Sequence, residues 1–195
     1  MTTPTTDRRE LIVDSAIDLI AGQGLRALTH RALDTALELP AGSTSYYFRT
    51  KRALIEAIVE RIATRSRADF ADRKPGMDEL EPNRLAHGIA SWLDRLLAQR
   101  RNHLIARHAL IVDLIGDPAL HAELVGCLFS HRHATALFEA LSAPEPATAA
   151  ADFIAVVEGL VFDRFAGART ELAPGTAASV RQLTAPLARQ LGAGR

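Results

Sequence analysis

The run LTHRALDTALELPAGSTSYYFRTK, residues 28–51, decides how the chain is read. It holds two short helical stretches on either side of Glu38-Leu39-Pro40. Thr29 is a good N-cap for the first, residues 29–37, because its hydroxyl oxygen can accept from a free N–H of the first turn. Leu33, Ala36 and Leu37 form an apolar edge, and Arg31 points away. Ala32 stands where Glu or Gln would complete a capping box, so the cap is one-sided. Pro40 suits the first turn of the next helix, residues 41–48, where its missing N–H costs nothing. That helix can bury Thr44, Phe48 and one tyrosine. A helix so short is not stable alone. Its neighbours must hold it, and its remaining side chains must have another use.

Outward from this run the chain reads as helix throughout. Residues 8–21 place Ile12, Ala16, Leu19 and Ile20 at helical spacing, and Gly22 and Gly24 stop them. Residues 51–73 form one long helix with Leu54, Ile55, Ile58, Val59 and Ile62 on its buried stripe. Residues 74–82 read as a charged, proline-containing linker. Further helices are expected over 83–99, 102–115, 118–141, 148–165 and 176–191. The helix over 148–165 is apolar around most of its circumference, with Gly159 in the middle to allow close approach of another helix. There is no strand pattern and no internal repeat. The expected class is all-α, about nine helices. A helix-turn-helix domain over 1–52 precedes a larger helical domain over 53–195, joined by the long helix 51–73.

Composition bounds the rest. At 195 residues and 48% apolar content the chain can bury a core without disulfides or metals. Its one cysteine, Cys127, sits in an apolar stripe and reads as an inert core residue. No leader-like segment and no membrane-length apolar run are present, so a cytoplasmic protein with no membrane partner is expected. The formal net charge is zero, but specific nucleic-acid binding needs only a local patch. Arg49, Lys51 and Arg52 supply one, with no acid from residue 41 to residue 52. A solvated helix start would look the same.

The run resembles the N-terminal DNA-binding domain of the TetR family of bacterial transcriptional regulators. The features that carry the resemblance span residues 8–58. They are the helix ending at Gly24, Thr29 leading the second helix, Gly42-Ser43-Thr44 opening the third, Tyr46-Tyr47-Phe48, and Lys51 followed by Leu54. The resemblance implies that Thr29 meets a phosphate and that Arg31 meets a base or phosphate. It further implies that Ser43, Ser45, Tyr46 and Tyr47, with Thr44 between them, form the recognition helix, and that Lys51 anchors a phosphate. The chemistry agrees. Hydroxyls can donate or accept at base edges, tyrosines offer a phenol and a ring face, and cations fix register. Core packing is the competing reading of Tyr46 and Tyr47. The chain departs from the family at three places: Glu38 replaces a usual glycine, Asp34 a small residue, and Pro40 a polar N-cap.

The same resemblance implies a ligand cavity within residues 83–165. The candidates are Trp92, His103, Arg107, His108, Phe129, His131, Phe153 and Phe162, with ordinary packing the competing reading for each. His131 and His133 face different ways on a helix and are no metal pair. No other set has metal-ligand spacing, so neither metal nor cofactor is expected. The helices 148–165 and 176–191 could form a four-helix interface with a second copy, through Phe153, Val157, Leu160, Val161, Val180, Leu183 and Leu187. The expectation is therefore a homodimer, most often a repressor, on a palindromic double-stranded DNA operator, released by a small-molecule effector. A twofold dimer would set its recognition helices about 34–36 Å apart or a multiple of that. Two rivals remain. One is an all-helical enzyme, for which no nucleophile elbow, phosphate loop or carboxylate pair speaks. The other is a helical ligand-binding or adaptor protein without DNA binding.

Overall fold

Ten α-helices and no strand make up the described residues of the computed structural model, 5–71 and 81–193. α1 (Thr5–Gln23) turns Ile12, Ala16, Ile17 and Ile20 inward and stops at Gly24, whose φ of 81° lies in the left-handed region that glycine takes readily. A 3-10 turn (Leu25–Ala27) leads into α2 (His30–Ala36), α3 (Ser43–Tyr47) and α4 (Lys51–Ala71). Then follow α5 (Pro82–Gln99), α6 (Arg101–Asp113), α7 (Pro118–Val125), α8 (His131–Ala140), α9 (Pro146–Ala166) and α10 (Ala177–Ala193). Among the described residues no helix is long and apolar enough to cross a membrane. The linker expected over 74–82, apart from Glu81 and Pro82, lies outside the described residues, as do the last two residues of the helix expected over 51–73.

Nine helices became ten because the one expected over 118–141 is two. Its apolar spacing does continue, but the backbone does not. α7 ends at Gly126, and Leu128 takes φ 68°. Ser130 then restarts the chain as an N-cap, accepting from His133 N. Arg107 supplies part of the reason. Its Nε and Nη2 donate to the carbonyls of Leu124 and Cys127, which a continuing helix would have used itself.

The contacts divide the chain into two units. The first unit holds α1 to α3, α4 up to Ala68, and residues from Asn102 to Cys127. Ala106, Leu110, Leu114, Leu124 and Cys127 share one core with Ile12, Leu28, Leu33, Phe48, Leu54 and Ile58, which is why α6 and α7 belong here. Arg61 of α4 ties the same unit to α1, side-on to Asp14 at 2.8 and 2.6 Å and reaching Glu10 at 3.2 Å.

The second unit holds residues from Asp69 to Arg101 and from Leu128 onward. In it α10 lies along α5, and α8 along α9. Leu183, Leu187 and Leu191 recur every four residues on α10, so they share one face, and all three are fully buried. A buried polar knot closes the end of this unit. Asp94 accepts from Ser179 Oγ and from Gly175 N (2.8 Å), while Arg164 donates to Ser179 Oγ (2.8 Å) and to the Leu172 carbonyl. Buried charges cost little stability only when they are so bonded.

Candidate nucleic-acid interface

The turn between α2 and α3 is built by two left-handed residues. α2 ends with Leu39 N donating to Asp34 O (2.8 Å) and Glu38 N to Thr35 O (3.2 Å), with Glu38 at φ 52°. This is the Schellman closure, whose left-handed position favours glycine. It accounts for the glycine that relatives are expected to carry there. The second left-handed residue is Gly42, at φ 90°. It delays the helix, so α3 starts at Ser43 rather than at 41.

α3 has five residues, and both of its ends are held from elsewhere in the unit. At the N-terminal end the buried Asp34 carboxylate accepts from Gly42 N (2.8 Å), Thr44 N (2.8 Å) and Thr44 Oγ1 (2.6 Å). Burial opposes the charge on Asp34. The hydrogen bonds from Thr44 and Gly42, with His30 nearby, outweigh it and hold the carboxyl below its usual value. At the C-terminal end Arg9 donates to the Tyr47 carbonyl (2.7 Å), its guanidinium lying 4.3 Å from the centre of the Phe48 ring. Neither residue was singled out from the sequence as functional. Asp34 had left a trace there, as an acid on the inner edge of α2 where a small residue was expected.

The candidate DNA contacts separate by exposure. Thr29 is exposed and caps α2, accepting from Ala32 N at 3.1 Å. Arg31 is exposed, and with Thr29 and Thr35 it lines a shallow depression. Tyr46 is 80% exposed, too much for a packing role. Tyr47 is half-buried against the core, with its ring edge-on to Tyr46 at 5.3 Å. Ser43 is half-buried and Ser45 exposed. Their hydroxyls donate to Pro40 O (2.6 Å) and Gly42 O (2.7 Å), leaving oxygen lone pairs as what they can offer outward. Thr44, also named as a DNA contact, is fully buried as the helical spacing expected, and its hydroxyl is spent on Asp34, so it is not on the outer face of α3. Lys51 and Arg49 are exposed. Arg52 contributes less to the basic patch than its charge suggests, because Glu56 (2.7 Å) and Asp117 pair with it.

The candidate ligand residues fall in both units. Trp92, Phe129 and Phe153 do come together, in a chain of edge-on rings with Phe70 and Phe138 at centroid separations of 5.2 to 6.2 Å. His133, not His131, joins them, stacked on Phe70 at 4.8 Å. His131 is exposed, and Phe162 is 46% exposed on the outer side of α9. His103, Arg107 and His108 belong to the first unit. There Arg107 is buried as the cap of α7, and His108 Nδ1 lies 2.8 Å from Leu104 O. Among the described residues no three His, Cys, Asp or Glu side chains are grouped to hold a metal. Cys127 is buried, and burial pushes its thiol up.

The interface residues need a similar correction. Phe153, Val157, Val161, Leu183 and Leu187 are wholly buried inside their own chain, because α9 and α10 turn their most apolar sides toward α5 and α8. Leu160 and Val180 are half-buried. Among the residues α9 leaves outside, Asp152, Ala155, Gly159, Phe162 and Ala166 form a stripe at helical spacing. A Cβ added to Gly159 would meet nothing, so this glycine accommodates no neighbour within the chain.

Two family models match the chain. Residues 12–58 match the bacterial regulatory proteins of the tetR family, and residues 80–189 match the tetracyclin repressor-like C-terminal domain. No curated protein matches it by sequence. Solved structures share the fold at low identity. A transcriptional regulator from Rhodococcus sp. Rha1 is 20% identical over 95% of both chains, with a TM-score of 0.75. A TetR family member from Streptomyces coelicolor A3 is 24% identical over 93% of this chain and 98% of that one, with a TM-score of 0.66. The multidrug binding protein EbrR, complexed with malachite green, is 22% identical over 94% of this chain and 98% of its own, with a TM-score of 0.65.

Proposed function

The chain belongs to the TetR family of bacterial regulators, and from this we propose that it is a repressor that binds a palindromic operator as a homodimer and leaves it when a small molecule binds. One observation carries the DNA-reading part. α3 buries only Thr44 of its five residues, yet two charged side chains from other helices hold it in place, and Tyr46 stands 80% exposed on it. So small a helix with so little to bury is worth holding only for what its outer face meets. Lys51 and Arg49 beside it supply phosphate charge. The outward stripe of α9, on which Phe162 is the one large apolar residue, is the face on which we place the second copy.

Release follows from linkage. A ligand that favours a dimer with wrongly spaced recognition helices lowers DNA affinity, and DNA lowers ligand affinity by the same factor. α4 has residues in both units, which suits it to carry this coupling. The ring cluster around Trp92 suits flat aromatic ligands, as does the kinship with a protein complexed with ethidium and malachite green.

The test is a duplex selected by the full chain from a random-sequence pool. Binding should weaken steeply with salt. Lys51→Ala should lessen the salt slope by about one, and Tyr46→Ala should cost about tenfold in affinity for the selected duplex. Trp92 is the one tryptophan, so its fluorescence reports malachite green or ethidium directly. A chain that selects no duplex, or that binds with no salt slope, would be an adaptor or ligand carrier instead.

A further inference from the structure

We infer that Asp34 and Arg9 are positioning residues of the recognition helix, setting the direction in which α3 presents its side chains and hence its choice of sequence. The inference rests on the reading of α3 as the DNA-reading element.

An ordinary short helix is capped by the residue that opens it. Here that residue is Gly42, which has no side chain and makes no side-chain cap bond, and neither Ala41 nor Pro40 before it can serve. The cap comes instead from α2. Asp34 spreads its two carboxylate oxygens over Gly42 N and Thr44 N and takes the Thr44 hydroxyl as well. The opposite end is met from α1, by Arg9 on the Tyr47 carbonyl. Each charge has the sign the helix dipole favours at its end, acid at the N-terminus and base at the C-terminus.

The origin of these contacts matters more than their strength. A local cap stabilises a helix but leaves its orientation free, because the cap turns with it. A cap from a neighbouring helix is satisfied in one orientation only. Turning α3 about its own axis would pull Thr44 Oγ1 from Asp34, and tilting it would draw the Tyr47 carbonyl from Arg9. The five residues thus gain a direction beyond what their own packing, through the buried Thr44 and the half-buried Tyr47, supplies. The Arg9 guanidinium also lies over the Phe48 ring, a cation–π contact that favours this placement.

The experiment separates positioning from stability. The full-length chain, Asp34→Ala/Thr44→Leu and Arg9→Leu are compared. The double variant refills the buried space with an apolar pair, and Arg9→Leu keeps a cover on Phe48. Two quantities are read for each: the thermal midpoint, and the ratio of affinities for the wild-type-selected duplex and a scrambled duplex at one salt concentration. The ratio removes any phosphate contact, which both duplexes offer equally. The expected result is a double variant that melts near wild type while its selectivity ratio falls about tenfold, and a similar fall for Arg9→Leu. If the double variant recovers selectivity along with stability, Asp34 only packs and the inference is overturned. An unaltered ratio in Arg9→Leu overturns its half. A wild-type chain with no selectivity to lose brings down the DNA-reading assignment itself, a failure seen before any variant is made.

Discussion

Arg107 Nε donates to the Leu124 carbonyl at 2.9 Å, and the guanidinium that makes this bond is almost completely buried. Arg107, a candidate ligand residue from the sequence, thus closes the end of α7, also reaching the Cys127 carbonyl at 3.3 Å. Arg107→Met keeps the volume but strands these carbonyls in the core. It should cost about 2–4 kcal/mol of stability, a fall of roughly 5–15 °C in Tm for a chain of this size. Thermal unfolding followed by circular dichroism measures it. A melting point within a degree or two of wild type would mean that water replaces the guanidinium without loss.

Glu38 sits at the left-handed closing position of α2 with φ 52°. A side chain is strained there and glycine is not. Glu38→Gly should raise stability by about 0.5–1 kcal/mol, after allowing for the greater freedom glycine has when unfolded. Urea titration checks it through a higher midpoint at unchanged slope. A lower midpoint would show that the Glu38 side chain contributes more than its backbone costs.

Asp34 predicts a particular acid response. Its carboxyl is held below the usual value, because the Thr44 and Gly42 hydrogen bonds and the nearby His30 outweigh burial. A group depressed in the folded state gives its full contribution above the ordinary carboxylate pKa of about 3.9. It loses that contribution as pH falls through the lower folded value. The stability gap between wild type and Asp34→Asn should thus stay level from neutral pH down to about 5 and close below about 4. Urea unfolding across that range reads the gap directly. A gap that is already closing at pH 6 would contradict the lowered value.

Phe162 and Val157 lie on the same helix, and their substitution should have opposite consequences. Val157 is fully buried, so Val157→Asp should unfold the second unit, at a cost of about 3 kcal/mol or more. Phe162 is 46% exposed on the outer stripe. Phe162→Asp should leave the far-ultraviolet spectrum intact and shift the sedimenting species from dimer to monomer. A variant that still sediments as a dimer would place the second copy on another face.

Much of the fold was open to reading from residue order alone. Apolar spacing gave the helix count to within one and assigned most core positions, since burial on a helix follows the 3.6-residue period whatever the neighbours are. Gly24 and Thr29 marked helix ends because capping is local chemistry. The break after Gly126 escaped, because its causes are Leu128 in a left-handed conformation and Arg107, a residue seventeen positions away from the Leu124 carbonyl it caps.

The candidate sites divide in the same way. That α3 would be short, poorly buried and rich in polar and aromatic groups was fixed by composition within residues 41–48. What each inward side chain meets was not: the spacing turned Thr44 inward, but that its hydroxyl is spent on the Asp34 carboxylate of α2 follows only from the fold. The period likewise named the apolar residues of α9 and α10 but could not say whether a second copy or the chain's own α5 and α8 covers them. Sequence determines what lies on one face of a helix, because that depends on backbone repeat. What meets the face depends on contacts between distant segments, and those exist only once the chain has folded.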